Sequence, residues 1–382
     1  MHLSELKIAF FVIDYTSTGG VERVTADLSK IFVQQHLWVL NIVSLYQSNP
    51  QPKFEYAENV DFVVLHPKNK SDFQNVFENY FQDYKPDIFI FQGDNMTISL
   101  KILKAAKKSN VTAIPVYHGS PFAYLKKYPE AKNSNALKIM FSKIQYPFKK
   151  NKLGNFLQQA EKGLVCVSKG SAEELKSLFP CKNFVKNISV LWNPIELKES
   201  SLINKEKTVS FVSRLESKHK NAFLSVKAWK EIHEKFPDWT LKIYGTGSLS
   251  QKMKQFCNAE NIKNVEFLGF VENINAELAK SSISISTSNS EGFSIAIAEA
   301  IANHNAIAIT DSDGGVSDMV IAKKTGLVSP KNNEKELANN IYLLITNENL
   351  RKQLAENAYQ HLKEKTTTNI FDEWKNLLLS TL

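Results

Sequence analysis

Two glutamates bracket an apolar run in S-N-S-E-G-F-S-I-A-I-A-E-A-I-A-N-H-N, residues 288–305: Glu291 near its start and Glu299 in its interior. Glu299 sits among Ile295, Ala296, Ile297, Ala298, Ala300 and Ile301, where burying a carboxylate is costly unless it is partnered. It therefore lies on a solvated stripe or faces something polar that the protein binds. Were both glutamates helical, they would stand about 80° apart at 100° per residue. They could then face one ligand, but not as a close pair sharing a proton. The helix is expected to begin near Phe293 or Ser294, directly after the strand-like S-I-S-I-S-T-S. Its unpaired N–H groups would favour an anion there, with the Ser294 hydroxyl as a further donor.

Three other stretches carry chemistry-bearing residues. In S-R-L-E-S-K-H-K-N (213–221), Arg214, Lys218 and Lys220 crowd one loop with Glu216 as the only acid. Such a cluster suits a diphosphate, since arginine binds oxyanions bidentately and lysine supplies a movable charge; solvated surface charge is the plainer alternative. In D-Y-T-S-T-G-G-V-E-R-V (14–24), Gly19 and Gly20 precede a helix and would let backbone N–H groups approach a ligand closely, or simply make a turn. His118 stands in V-Y-H-G-S after a strand-like run, as an active-site or a structural histidine. The segment Y-G-T-G-S-L-S (244–250) has Ser250 where a third glycine would complete a nicotinamide-cofactor fingerprint, and no G-x-x-x-x-G-K-[ST] phosphate loop is present.

The elements that must position these residues follow a rhythm. Strand-like runs at 7–13, 38–45, 87–92, 112–118 and 163–168 alternate with helix-length segments such as 21–32 and 98–108. The rhythm restarts at 208–214, 240–245, 265–269, 283–288 and 306–310. Near-continuous apolar strands separated by helices mean parallel sheets covered on both faces. Two such sets imply two doubly wound α/β domains, joined in the polar stretch after N-P-I-E (193–196). Ligands of such sheets sit beyond the carboxyl ends of the strands, where all the residues above fall.

Composition narrows the class. The chain has 382 residues, 43% of them hydrophobic and 23% charged, enough for two ordinary globular domains. Three scattered cysteines, Cys166, Cys181 and Cys257, fit neither a disulfide framework nor a zinc site. The residues after Met1 do not read as a signal peptide, and no apolar run approaches the ~20 residues of a membrane span, so a cytoplasmic protein is expected. The net charge of +8 is compatible with an anionic partner. It is concentrated at 124–156, where eight lysines face the single acid Glu130 amid Leu137, Ile139, Met140, Phe141, Ile144, Tyr146 and Phe148. This is the composition of a basic amphipathic segment on an anionic membrane surface, or of a lysine-rich helix packed on its own domain. No nucleic-acid-binding motif accompanies it.

Taken in order, G-G-V-E-R-V (19–24), V-S-K-G-S (167–171), N-P-I-E (193–196), S-R-L…K-N (213–221), Y-G-T-G (244–247) and E-G-F-S-I-A-I-A-E (291–299) resemble the retaining glycosyltransferases of family 4. The most specific piece is the pair of glutamates with seven residues between them.

The resemblance implies the GT-B fold, with two Rossmann-like domains facing each other across a cleft. The expected divisions are an acceptor-side domain at 1–196, a nucleotide-sugar domain at 197–362 and a C-terminal helix at 363–382 crossing back to the first domain. It further implies that Glu299 binds the ribose of a nucleotide-sugar donor and Glu291 the donor sugar's hydroxyls. The backbone of Phe293, Ser294 and Ile295, with the turn at Gly245, would hold the donor, and Arg214 and Lys220 would neutralise the leaving diphosphate. His118 would stand beside the donor sugar, and Gly19 and Gly20 would let the first domain's loop close on it. The family's lysine usually falls five residues after the arginine, where this chain has His219; one extra loop residue brings Lys220 into its place, with Lys218 the other candidate. The loop D-S-D-G-G-V-S-D (311–318) departs from the family's commoner G-x-x-E pattern, so Asp318 is assigned no role. No cofactor and no metal are expected; the donor, most commonly a uridine diphosphate sugar in this family, is a substrate. The acceptor would be a glycan or a lipid-linked glycan of a bacterial envelope, at the inner face of the plasma membrane. A non-catalytic nucleotide-sugar-binding subunit and a sugar-nucleotide epimerase of the same fold are the alternatives, with a dehydrogenase the least favoured.

Overall fold

The computed structural model describes residues 6–93, 95–125, 136–180, 187–197, 205–216, 219–365 and 367–381. The chain forms two compact units, Met1–Pro194 with Thr367–Leu382, and Ile195–Thr366.

In the first unit the strands are β1 (Lys7–Asp14), β2 (Trp38–Tyr46), β3 (Asp61–Val64), β4 (Ile88–Gln92), β5 (Thr112–Tyr117), β6 (Leu164–Cys166) and β7 (Ile188–Val190). They pair in parallel in the order β3-β2-β1-β4-β5-β6-β7. Helices α1 (Gly20–Gln34), α2 (Phe73–Tyr84), α3 (Met96–Ser109), α4 (Pro121–Leu125), α5 (Ala136–Gln159) and α6 (Lys169–Leu178) intervene. Ile8 to Val12 and Ile88 to Phe91 are wholly buried, as strands covered on both faces must be. The Phe89 ring meets those of Phe77 and Phe81 edge to face in this core. The strand order reverses between β1 and β4, which makes the ends of those strands the switch point where such sheets bind ligands.

The second unit contains β8 (Glu206–Val212), β9 (Thr240–Tyr244), β10 (Val265–Gly269), β11 (Ser281–Ser286), β12 (Ser290–Glu291), β13 (Ala306–Thr310), β14 (Asp313–Gly314) and β15 (Leu327–Ser329). Its main sheet runs β10-β9-β8-β11-β13-β15, with β12 and β14 forming a separate short ladder. Around it lie α7 (Phe223–Lys230), α8 (Ser250–Ala259), α9 (Ile274–Lys280), α10 (Ile295–Ala302), α11 (Val316–Met319), α12 (Glu334–Thr346) and α13 (Glu348–Lys363). Here the switch falls between β8 and β11, so the loops after those two strands are brought together. The last helix, α14 (Thr367–Thr381), belongs to the first unit. Trp374 is buried there, edge to face with Phe32 of α1 at 5.8 Å.

Every strand-like run of the sequence forms a strand, all in parallel sheets. The pattern did not reveal β3, β7, β15 or the β12/β14 ladder, which are two to four residues long and too short for periodicity to register. Glu291, expected just before the helix, lies in β12, paired with Gly314 of β14, so the conditional helical angle between it and Glu299 does not apply.

Candidate functional site

In the second unit, two loops are tied to each other at the switch point. The loop after β8 runs to Asn221, whose left-handed φ of 44° turns the chain into α7. The Thr287 hydroxyl donates to the carbonyls of Lys220 and Asn221 at 3.1 and 3.0 Å, and Asn289 N–H donates to His219 O at 2.8 Å. These bonds lay the Lys220 ammonium against the Glu291 carboxylate, Nζ to Oε1 2.6 Å. The same Oε1 accepts the Ser288 hydroxyl at 2.6 Å. Glu291 and Ser288 are buried and Lys220 half-buried. A carboxylate with one oxygen doubly held is oriented by the protein. Its backbone is pinned as well, Gly315 N–H donating to Glu291 O at 2.7 Å.

Three residues on, Ser294 is the N-cap of α10, in extended conformation and with no side-chain bond to the helix. The helix therefore begins one residue beyond the expected start, and its first N–H groups lack the capping that most helices use. Phe293, Ser294 and Glu299 are buried, and Ile295 is half-buried. Glu299 thus lies in the protein and not on a solvated stripe.

Arg214 is exposed on the same loop as Lys220. Its loop lies back to back with the one after β9: Leu215 N–H donates to Thr246 O and Leu249 N–H to Leu215 O, both at 2.8 Å. The approach is so close that Gly245, at φ 118°, could carry no side chain, since a Cβ would lie 1.9 Å from Ser213 O. Gly247 is equally constrained, its Cβ position lying 2.4 Å from Leu215 O. The glycines of Y-G-T-G thus set the loop that presents Arg214. Of the two candidate lysines, Lys220 reaches Glu291, and Lys218 lies outside the described residues. His219 is exposed.

In the first unit, His118 directly follows β5. Its Nε2 contacts Gln92 Oε1, Gln92 Nε2 donates to Thr25 Oγ1 at 2.9 Å, and Thr25 Oγ1 donates to Val21 O at 2.9 Å. The chain of donors fixes the tautomer. Because the Thr25 hydrogen goes to Val21, Thr25 can only accept from Gln92; Gln92 Oε1 then faces His118, which must donate from Nε2. Desolvation lowers the His118 pKa to about 4, so the ring is neutral at physiological pH. Gly19 and Gly20 lie at the start of α1, whose residues Val21 and Thr25 anchor this chain. The Glu22 carboxylate folds back over Gly19, covering part of the α1 N-terminus with an acid.

Sequence reasoning missed Ser288, Thr287 and Gln92. The first two sit in a serine- and threonine-rich run where nothing distinguishes one hydroxyl from the next, and Gln92 is the last residue of an apolar strand. Among the described residues, no three His, Cys, Asp or Glu side chains are grouped to hold a metal ion. No described helix is long and apolar enough to cross a membrane.

In the basic segment, Lys126 and Lys127 lie outside the described residues. Lys149, Lys150 and Lys152 are turned onto the unit itself. Lys149 donates to Tyr124 O at 3.1 Å, Lys150 lies over the Phe179 ring at 5.6 Å, and Lys152 donates to Thr97 Oγ1 at 2.6 Å. Ile144, Tyr146 and Phe148, just before them on α5, are exposed.

Residues 194–361 match the model of the family described as glycosyl transferases group 1. An uncharacterized glycosyltransferase of Haemophilus influenzae is 25% identical over 97% of this chain and 99% of its own. A Campylobacter jejuni protein is 26% identical over 98% of each chain; it is named GalNAc-alpha-(1->4)-GalNAc-alpha-(1->3)-diNAcBac-PP-undecaprenol alpha-1,4-N-acetyl-D-galactosaminyltransferase. Among solved structures, a mutant of TarM from S. aureus, in complex with fondaparinux, alpha-GlcNAc-glycerol and UDP, superposes with a TM-score of 0.77 at 15% identity, covering 97% of this chain and 99% of that one. The chain is a glycosyltransferase enzyme built from the two Rossmann-like units of the GT-B fold.

Proposed function

We propose that the chain is a retaining glycosyltransferase of family 4 that moves a hexose or N-acetylhexosamine from a uridine diphosphate sugar to a hydroxyl of a glycan or lipid-linked acceptor, forming an α linkage in envelope polysaccharide synthesis. The observation that carries the reading is Glu291, held by Lys220 and Ser288 at 2.6 Å each, three residues ahead of the uncapped start of α10. An oriented carboxylate beside the N-terminus of α10 at a switch point supports a reading in which the first meets sugar hydroxyls and the second phosphates. The C. jejuni relative, whose name specifies an alpha-1,4 transfer to an undecaprenol-linked glycan, and the UDP bound to TarM support the linkage, acceptor class and donor.

In this reading Glu299 binds the ribose hydroxyls and Glu291 the donor sugar. The N–H groups at Phe293, Ser294 and Ile295 and the turn at Gly245 receive the pyrophosphate, while Arg214 and Lys220 meet the charge that grows on the leaving diphosphate. Neutral His118 is assigned to the donor sugar as a hydrogen-bonding partner, and Gly19 and Gly20 to the loop beside it. The bond from the anomeric carbon to the diphosphate oxygen breaks and a bond to the acceptor oxygen forms on the same face. The acceptor's proton passes to the departing phosphate oxygen, so no protein base is required. The cationic loop and the helix start do the neutralising that a metal would otherwise do. The enzyme is assigned to the cytoplasm, with the 124–156 segment lying on an anionic membrane surface.

A thermal-shift series of nucleoside diphosphates and their sugars, on the native protein and Glu299→Ala, tests the reading. A ligand that binds only the native state raises its melting temperature by mass action. Stabilisation by the uridine series that is lost in Glu299→Ala is the expected result. No response to any nucleotide would overturn the assignment.

A further inference from the structure

At the opposite end of the second unit's sheet, where β8, β11 and β13 begin, lies a cavity of about 230 Å³ lined by Lys205, Ser282, His304, Glu348, Arg351 and Lys352. That is room for several waters at about 30 Å³ each. Lys205, Arg351 and Lys352 bring three cations to it and Glu348 one acid. Lys352 pairs with Glu348 at 2.8 Å. Arg351 lies over the Trp239 ring and donates to Leu344 O at 2.8 Å and Ile345 O at 3.2 Å. Lys205 meets only carbonyls, Asn303 O at 2.5 Å and Leu278 O at 3.3 Å, near the ends of α10 and α9. Among the described residues no carboxylate pairs with it. Burial without a counterion lowers the Lys205 pKa to about 8, and burial lowers that of Arg351 as well. His304 stacks on Tyr359 at 3.9 Å, with Nδ1 3.4 Å from Glu356, and its pKa is also depressed by burial. Desolvated cations without a full complement of acids are costly to hold, and a bound anion with several acceptor oxygens would offset that cost.

We propose that this cavity is a binding site for a phosphate-type oxyanion, either inorganic phosphate or the phosphate of a small monoester, gripped by Lys205 and Arg351 with Lys352 at its mouth. The site is separate from the chemistry at the carboxyl ends of the strands, and its lining belongs to the second unit alone.

The test measures melting temperature with inorganic phosphate and with glycerol phosphate, each against chloride at equal ionic strength. Phosphate could also bind at the Arg214 loop, so the comparison includes Arg214→Gln/Lys220→Met as well as Arg351→Gln and Lys352→Glu. The expected result is a rise on the order of 2 °C at ~10 mM ligand, kept in the Arg214/Lys220 variant and reduced to below a third in Arg351→Gln and Lys352→Glu. The compound giving the larger rise identifies the source of the phosphate. Should Arg351→Gln fail to fold, Lys352→Glu at the exposed mouth carries the comparison. Crystals soaked in tungstate give an independent reading, with anomalous density expected between Lys205 and Arg351. No rise in the native protein, or a rise lost only with Arg214 and Lys220, overturns the proposal, as does a tungstate peak confined to the α10 N-terminus.

Discussion

Lys220 and Glu291 form an ion pair at 2.6 Å in which the acid is nearly buried and the lysine keeps part of its water, their side chains being 10% and 28% exposed. The pair orients both members before any ligand arrives. It also means that the two cannot be removed independently, because deleting the lysine leaves a carboxylate in a poorly hydrated place.

Lys220→Met is therefore expected to destabilise the protein by about 1–3 kcal/mol, below the 3–5 of a fully buried pair because Lys220 is partly solvated. Adding Glu291→Gln should recover much of that stability and none of the transfer activity. Urea denaturation with a sugar-transfer assay on the two single variants and the double one checks this. A double variant no more stable than Lys220→Met would show that the pair's coupling is weak.

Ser288 offers a subtler change. Its hydroxyl is the second donor to Glu291 Oε1, so Ser288→Ala should leave the carboxylate in place but less firmly oriented. A loss of roughly tenfold in kcat is expected, of the size of one hydrogen bond to a charged group. Ser288→Thr should recover part of it.

Two glycines with positive φ separate strain from collision. At Gly269, φ 70°, nothing lies within 4 Å of a Cβ, whereas at Gly245, φ 118°, Ser213 O blocks it at 1.9 Å. Alanine at 269 should cost only the left-handed conformation, about 1–2 kcal/mol. Alanine at 245 must also push back the loop that carries Arg214, for a cost of about 3 kcal/mol or more and a marked loss of nucleotide binding. Thermal melts and diphosphate titration of the two variants make the comparison.

The pH dependence of stability should carry a signature of His118. Its pKa is about 4 in the native state, against an ordinary value near 6.5 unfolded. Between those values the unfolded chain binds the proton and the native one does not, so stability rises with pH across that window. The contribution is fully present above about pH 6.5 and lost as the pH falls towards 4, on the order of 3 kcal/mol in total. His118→Gln keeps a side-chain amide donor for Gln92 and cannot titrate. Its stability should fall less steeply from pH 7 to 4.5 than that of the native protein; parallel profiles would remove His118 from the account.

How much of this was legible beforehand depended on length scale. Buried parallel strands such as Ile88–Gln92 announce themselves as unbroken apolar runs, and the loops after them are where ligands must be sought. Glu299 stands out inside an apolar helix because burying a carboxylate is costly unless it is partnered. Glu291 is expected only to precede the helix; its place in a two-residue ladder with Gly314 comes from a tertiary contact that leaves no local pattern. Ser288 and Gln92 were invisible for the same reason: what singles them out is a partner 3 or 26 residues away.

The exposed face of α5 allows a sharper membrane test than its lysines do. Lys149, Lys150 and Lys152 engage Tyr124, Phe179 and Thr97, so replacing them disturbs packing along with charge. Ile144, Tyr146 and Phe148 are 52%, 39% and 72% exposed, and Pro147 lies between the last two. Ile144 and Phe148 share one face of α5 while Tyr146 lies on another; burying the first two in an interface is favourable by about 1–2 kcal/mol each, so the triple change Ile144→Ser, Tyr146→Ser and Phe148→Ser should weaken sedimentation with anionic liposomes at least tenfold. Because these side chains pack on little, the melting temperature should move by less than about 2 °C. Liposome binding that survives the triple change, but is lost at high salt, would assign any membrane contact to charge alone; absence of binding in the native protein would remove the membrane from the account.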